Sequence, residues 1–289
     1  MTNLVQFPGL GLSFELNRVA FSIGGMNIYW YGVCIAVGLC LALVFAFRHC
    51  QEFGVDPDAM VDVILIGTVC AVIGGRAFYV ATAPFEYASF AEMLDIRLGG
   101  VAIYGAVIAA FLSGYFACRW RKVPILPMFD LAGMGFLLGQ GIGRWGNFVN
   151  CEAFGGYTDS LFAMRIKRSI VNESMISQEL LENLITENGI EYIQVHPTFL
   201  YESMWNLGLL LFMLWYRKRK KFTGEMLLIY LTGYGIGRAW IEGLRTDQLL
   251  IPGTELAVSQ VLSMVIAVIS LAVLLFHRRK GPGESEETV

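Results

Sequence analysis

Thirteen consecutive residues, Gly143-Arg144-Trp145-Gly146-Asn147-Phe148-Val149-Asn150-Cys151-Glu152-Ala153-Phe154-Gly155, bring together a guanidinium, two carboxamides and a carboxylate. On a helix these groups fall within about three turns of one another. The run closes a hydrophobic, glycine-rich stretch, where an arginine is costly and marks a functional role by default. Two further arginines sit in similar settings. One is Arg76, after Gly74-Gly75. The other is Arg238, inside Tyr234-Gly235-Ile236-Gly237-Arg238-Ala239-Trp240-Ile241-Glu242. A guanidinium matches phosphate bidentately and keeps its charge. Arginines sharing one level of a membrane therefore point to a phosphate-bearing ligand, for which an anionic phospholipid is the natural candidate. In an enzyme the same groups would stabilise a phosphate leaving group as charge builds on it.

The elements that must hold these residues are apolar helices. Of 289 residues, 56% are hydrophobic and 16% charged, and the mean hydropathy is +0.58, a balance that fits a polytopic membrane protein. Seven spans of roughly 20 residues are expected: Asn27–Phe47, Met60–Ala83, Leu98–Cys118, Pro127–Asn150, Thr198–Tyr216, Gly224–Gly243 and Leu256–Phe276. Met1 to Met26 lacks a basic leader and a cleavage site, so the first span is expected to be an uncleaved membrane helix. Basic residues follow alternate spans: Arg48; then Arg119, Arg121 and Lys122; then Arg217 to Lys221; then Arg278, Arg279 and Lys280. The positive-inside rule then puts the N-terminus outside and the C-terminus in the cytoplasm. Arg18, Arg97, Arg165, Lys167, Arg168 and Arg245 fall in outer segments. Arg76, Arg144 and Arg238 lie near the outward ends of spans two, four and six, at a shared depth.

The expected fold class is an all-α polytopic membrane protein with a small extracytoplasmic cap. Residues 1–26 form an outer N-terminal segment, 27–155 membrane helices one to four, 156–197 the cap, 198–276 helices five to seven, and 277–289 a cytoplasmic tail, disordered from Gly281 to Val289. Small residues at Gly67, Ala71 and Gly75, at Gly135, Gly139 and Gly143, and at Gly235, Ala239 and Gly243 recur every four positions and let helices approach closely. In the cap, alternation over Phe162 to Lys167 predicts a strand, and Ser177 to Gly189 predicts a capped helix. About 40 residues are too few for a core of their own, so the cap is expected to pack on the membrane body. None of the six cysteines forms a CxxC pair; neither a disulfide nor a zinc framework is indicated. HExxH, P-loop and serine-hydrolase signatures are absent as well.

Polar groups at the starts of spans one, three and five could share one outward-facing cavity with the arginines. They include Tyr29-Trp30-Tyr31-Gly32, Tyr104 and His196-Pro197. Competing readings stand beside this one. Tyr and Trp also form interfacial belts. Arg144 and Arg238 could snorkel, or pair structurally with Glu152 or Glu242. Arg76 has an equally good structural reading, and His196 could anchor a loop or start a helix.

The run Gly143 to Gly155 matches in full the signature G-R-x-G-N-F-x-N-x-E-x-x-G of the bacterial prolipoprotein diacylglyceryl transferases. The chain also resembles that family at Trp30-Tyr31-Gly32, Gly74-Gly75-Arg76, Gly99-Gly100, His196-Pro197 with Tyr201-Glu202, and Gly233-Tyr234-Gly235 with Arg238 and Glu242. The resemblance implies transfer of the diacylglyceryl group of phosphatidylglycerol to the lipobox cysteine of a prolipoprotein signal peptide. A thioether forms and glycerol phosphate leaves, at the outer side of the cytoplasmic membrane. The nucleophile then belongs to the substrate, and Cys151 is not expected to act as one. Catalytic roles fall to Arg144, Arg238 and Tyr104. Substrate-binding roles fall to Tyr31, Arg76, Asn147, Asn150, Glu152, Tyr234, Glu242 and His196, with Glu152 and Glu242 orienting the arginines. No cofactor, metal or nucleic acid is expected.

One position departs from the family pattern. Many members have His-Gly-Gly at the start of span three, where this chain has Tyr104-Gly105-Ala106. A phenol, with an ordinary pKa of about 10, is a poor base at neutral pH. A thiol near 8.5 needs little help beside cations. Tyr104 is therefore expected to orient substrate while the arginines activate the thiol. A phospholipid or small-anion transporter using the same arginines is the alternative, but the odd span number and the lack of internal duplication do not favour it.

Overall fold

A computed structural model describes residues 2–83, 85, 87, 89–95 and 99–280. Expectations for Arg97, for Leu98 as the start of span three and for the tail from residue 281 fall outside the described residues. The chain divides into two compact units, residues 1–45 with 132–289, and residues 46–131.

The architecture is mostly helical. The long helices are α1 (Trp30–His49), α2 (Pro57–Thr82), α4 (Ile103–Arg121), α5 (Ile125–Asn150), α7 (Thr198–Tyr216), α8 (Glu225–Glu242) and α9 (Val258–Lys280), with α3 (Phe90–Leu94) and α6 (Gln178–Glu182) as single turns. Each of the seven expected spans falls on one of the long helices. Five of them, α1, α2, α4, α5 and α9, are long and apolar enough to cross a membrane. Their open faces are apolar, as at Leu65, Val69 and Ile73 on α2 and at Val268 and Ile269 on α9, the pattern of helices solvated by lipid.

In the larger unit the stripe Gly135, Gly139 and Gly143 faces α1. A Cβ added at Gly38 would meet the Gly139 Cα at 3.2 Å, and one at Gly143 would meet Ile35 at 3.5 Å. The stripe Gly235, Ala239 and Gly243 faces α9: a Cβ at Gly235 would sit 2.8 Å from the Ser263 carbonyl oxygen, and the Gln260 amide donates to the Ala239 carbonyl at 3.1 Å. Small residues thus let backbones meet where side chains would keep them apart. In the smaller unit, α2 starts on an Asp56 cap that accepts from the Ala59 N–H at 2.9 Å, with Pro57 in the first turn. The close approach of α2 to α4 runs through Gly74 and Gly105. A Cβ on the former would overlap the Ala109 methyl, and one on the latter the Gly74 carbonyl. Gly75 of the expected Gly67–Ala71–Gly75 stripe shares this approach, since a Cβ there would meet Ala106 of α4 at 3.2 Å.

The all-α expectation needs correcting outside the long helices. A five-stranded antiparallel sheet forms, in the order β2-β1-β5-β7-β6, from β1 (Thr2–Phe7), β2 (Leu12–Asn17), β5 (Met164–Lys167), β6 (Ile185–Glu187) and β7 (Ile190–Val195). The expected strand is β5. The expected helix from Ser177 ends after α6, although Ser177 does cap it, accepting from the Leu180 N–H at 3.4 Å. Gly189 closes a hairpin instead of stopping a helix. Asn188 (φ 50°) and Gly189 (φ 75°) are both left-handed, and Glu187 pairs with Ile190, the two-residue turn that Asn-Gly favours. Gly24-Gly25 does the same between β3 (Val19–Ile23) and β4 (Met26–Tyr29).

The sheet also supplies the core that the cap lacks alone. Val5 lies opposite Ile166, and Ile166 opposite Ile193; all three are fully buried. They pack with Leu180, Phe154, Phe148 at the end of α5 and Phe199 at the start of α7. The Phe148 and Phe199 rings stack at 4.6 Å. Aromatic side chains from both helix ends thereby fix where α5 stops and α7 begins.

Candidate functional site

Gly155 is the point on which three segments converge. Its N–H donates to the His196 carbonyl at 3.0 Å, and the Gly156 N–H donates to the Leu244 carbonyl at 2.9 Å. A Cβ at Gly155 would come within 2.8 Å of both His196 and Leu244, so a side chain there would push apart the end of the signature, the β7–α7 junction and the end of α8. Between α5 and Gly155 the backbone turns through Cys151 (φ 54°) and Ala153 (φ 56°), both left-handed. This tight exit swings Glu152 back over the last turn of α5. Its carboxylate accepts from the amides of Asn147 at 2.9 Å and Asn150 at 3.2 Å. The Thr198 hydroxyl donates to the Ala153 carbonyl and fastens the bend to α7.

On this frame the charged groups form one alternating chain. Arg144 on α5 donates to Asn147 Oδ1 at 3.3 Å and pairs with Glu202 of α7 at 2.8 Å. The other Glu202 oxygen meets Arg238 of α8 at 3.2 Å. Arg238 reaches Glu242, one turn on, at 2.5 Å, and Glu242 lies 3.7 Å from Arg245. Arg245 ends the series in a two-pronged pair with Asp247 at 2.7 and 2.8 Å. Ser259 of α9 donates to the second Glu242 oxygen at 2.5 Å. The Tyr234 hydroxyl lies 3.5 Å from Glu202. The Glu202 side chain is only 3% exposed, against 22% for Arg144 and 16% for Arg238. The carboxylate is thus the hidden bracket, and the two guanidiniums are its open edges.

Three arginines and three acids from Arg144 to Asp247 balance to zero, so the guanidiniums are oriented without a bare buried charge. Outside the helices, burial disfavours the charged form of Asp247, but the Arg245 pair outweighs it and holds the carboxyl below its ordinary range. Burial pushes the Cys151 thiol up to about 11, with Arg18 opposing and Glu152 reinforcing. A thiol so placed is inert, in keeping with the expectation that Cys151 is no nucleophile.

Of the expected site residues, Arg144, Asn147, Asn150, Glu152, Tyr234, Arg238 and Glu242 come together in this network. Tyr31 joins them through Gly146, over which its ring lies so closely that a Cβ would meet Cδ2 at 2.7 Å. Glu152 needs correcting: it takes the two asparagines and not an arginine. The acid that brackets Arg144 and Arg238 is Glu202, which a census of basic residues passes over, although an acid inside an apolar helix is itself a signal. Arg245, which the sequence places only in an outer segment, and Asp247 are further members of the site that no sequence signal singled out. His196 stands beside the network, with Nδ1 3.2 Å from the Tyr201 hydroxyl. Burial lowers its pKa, with Glu179 opposing, which favours neutral imidazole.

Arg76 and Tyr104 belong to the smaller unit. Arg76 is buried, and its guanidinium donates to four backbone carbonyls, those of Glu92, Met93, Gly99 and Gly100, at 2.7–3.0 Å. This is the structural reading left open for it: the side chain holds the segment that leads into α4. Tyr104 lies in the first turn of α4.

A family model described as prolipoprotein diacylglyceryl transferase matches residues 18–276. A Clostridium perfringens protein, phosphatidylglycerol–prolipoprotein diacylglyceryl transferase 1, is 35% identical over 268 residues, covering 92% of this chain and 97% of that one. Phosphatidylglycerol–prolipoprotein diacylglyceryl transferases of Bacillus cereus and Bacillus anthracis are each 36% identical over 279 residues, covering 95% of this chain and 97% of theirs.

Proposed function

Because the chain belongs to the prolipoprotein diacylglyceryl transferase family, we propose that it transfers the diacylglyceryl group of phosphatidylglycerol to the lipobox cysteine of a prolipoprotein. The observation that carries the mechanism is the Arg144–Glu202–Arg238 bracket. Glu202 presents both guanidiniums with N–H groups to spare, and the lipid phosphate docks against them as a doubly clamped anion. The cysteine sulfur attacks the terminal glyceryl carbon, a carbon–sulfur bond forms, and the carbon–oxygen bond to phosphate breaks. The bonding pair leaves on the phosphate oxygen. The thiol proton ends on the departing glycerol phosphate, so no cofactor or oxidant is required. The negative charge gathered on the phosphate is greatest as that bond breaks, and the two arginines are worth most at that moment. Asn147 and Asn150, held by Glu152, hydrogen-bond polar parts of the lipid, and Tyr31 helps to position it. Tyr104 orients substrate.

In this reading all seven long helices cross the bacterial cytoplasmic membrane. The N-terminus and the site face the outer side, and the sheet forms an outer cap. The test is mass spectrometry of a reconstitution with phosphatidylglycerol and a membrane-anchored lipobox peptide, with a Cys→Ser peptide as control. A diacylglyceryl mass gain on the Cys peptide alone, with glycerol phosphate released, is the expected result. Arg144→Ala should lower the rate at least about a hundredfold while the protein still inserts; near-parental turnover would sink the arginine assignment.

A further inference from the structure

Along α7 lies an open groove of about 570 Å³ whose lining is almost entirely apolar. Met204, Gly208 and Leu209 line it from α7, Trp240 from α8, and Phe162 from the segment before β5. Trp205 forms part of its wall. Its indole N–H donates to the Gly233 carbonyl at 2.9 Å, and the ring lies so close to Gly237 that no Cβ would fit there. The wall is therefore fixed, and its donor is not free for a ligand.

We propose that this groove holds one acyl chain of the phosphatidylglycerol whose phosphate lies at Arg144 and Arg238, an inference that rests on the phosphate placement above. Two observations support this occupant. The lining is almost entirely apolar, so what fills it is hydrocarbon. The groove also adjoins the network: Tyr201 and Trp205 flank Glu202 on α7, and Gly237 and Trp240 flank Arg238 on α8. A lipid lying along α7 can present its phosphate to one face of these helices and one chain to the next.

Gly208 provides a clean test, because a Cβ there meets nothing within 4 Å and leucine is a better helix former than glycine. Gly208→Leu and Gly208→Trp place side-chain atoms in the groove, and thermal melts of both variants check that the fold is kept. Transfer to a lipobox peptide is measured in mixed micelles with dipalmitoyl and with dihexanoyl phosphatidylglycerol. The KM for the long-chain lipid should rise roughly tenfold, the worth of about two buried methylenes. The KM for the short-chain lipid and kcat should stay near parental. Equal changes for both lipids, or none, overturn the proposal. A raised KM for the peptide with both lipid values unchanged overturns it in favour of the signal segment. Parental turnover by Arg144→Ala in the same assay overturns the phosphate placement, and a parent that transfers nothing overturns the transferase reading; the groove proposal falls with either.

Discussion

Glu202 gives each arginine of the site a reason to stay in place. Its two oxygens hold Arg144 and Arg238 from different helices, and its near-complete burial makes the arrangement expensive to disturb. Glu202→Gln keeps the shape and removes the charge, leaving the guanidiniums to repel each other. The expected outcome is a loss of about 3 kcal/mol or more of stability and a roughly hundredfold fall in kcat, as the clamp loses its geometry. Thermal melts and steady-state kinetics check both. Unchanged kcat with intact folding would show that the arginines need no bracket. Asn206, one turn further along α7, is the opposite case. It is completely buried, and among the described residues neither amide atom has a hydrogen-bond partner. Asn206→Leu should raise stability by about 1–3 kcal/mol, the cost of an unsatisfied buried amide. A lower melting temperature would mean that the amide has a partner that the static arrangement does not reveal.

At the scale of elements, periodicity reveals the helices and conceals the sheet. Seven apolar runs of helical length are legible because each carries its own signal from end to end. The β1–β5 pairing joins Val5 to Ile166 across more than half the chain, and nothing local to either strand announces the other. The β6–β7 hairpin is legible in principle at Asn188-Gly189. Leu180, Leu181, Leu184 and Ile185 mimic a helical stripe and outweigh the turn. In the structure only Leu180 of these four is fully buried, so the stripe is not one packed helix face. Gly189→Val tests the turn chemistry. A β-branched residue at φ 75° is expected to cost about 1–2 kcal/mol. Amide exchange should then quicken roughly tenfold across residues 185–195, with α5 unaffected. Unchanged protection would show that the hairpin takes its geometry from the sheet and not from its turn.

At the scale of the whole molecule, ion pairs inside each unit gather basic helix ends together. In the larger unit Glu225, at the start of α8, accepts from Arg278 near the end of α9 at 2.6 Å and from Tyr216 at the end of α7 at 2.9 Å. One set of helix ends therefore meets beside the basic run 217–221. The opposite set, the ends of α5 and α8 and the start of α7, meets at Gly155 beside the sheet and the charged network. In the smaller unit Arg121, at the end of α4, pairs with Asp62, near the start of α2, at 2.7 Å. The family signature makes most of the site legible from sequence, because its residues lie close together in the chain. Glu202 is legible only as part of the Tyr201-Glu202 match, and Arg245 and Asp247, which follow the end of α8, fall outside the matched residues; that the three close one network is not legible, because only folding brings them together. If basic ends face the cytoplasm, a single cysteine at Glu187 should react with a membrane-impermeant maleimide in intact cells, and one at Lys218 only after permeabilisation. Both variants are made in a background with the six native cysteines replaced by alanine. Labelling in the reverse order would put the arginine network on the cytoplasmic side, out of reach of a secreted preprotein's lipobox, and the proposed reaction would lose its substrate.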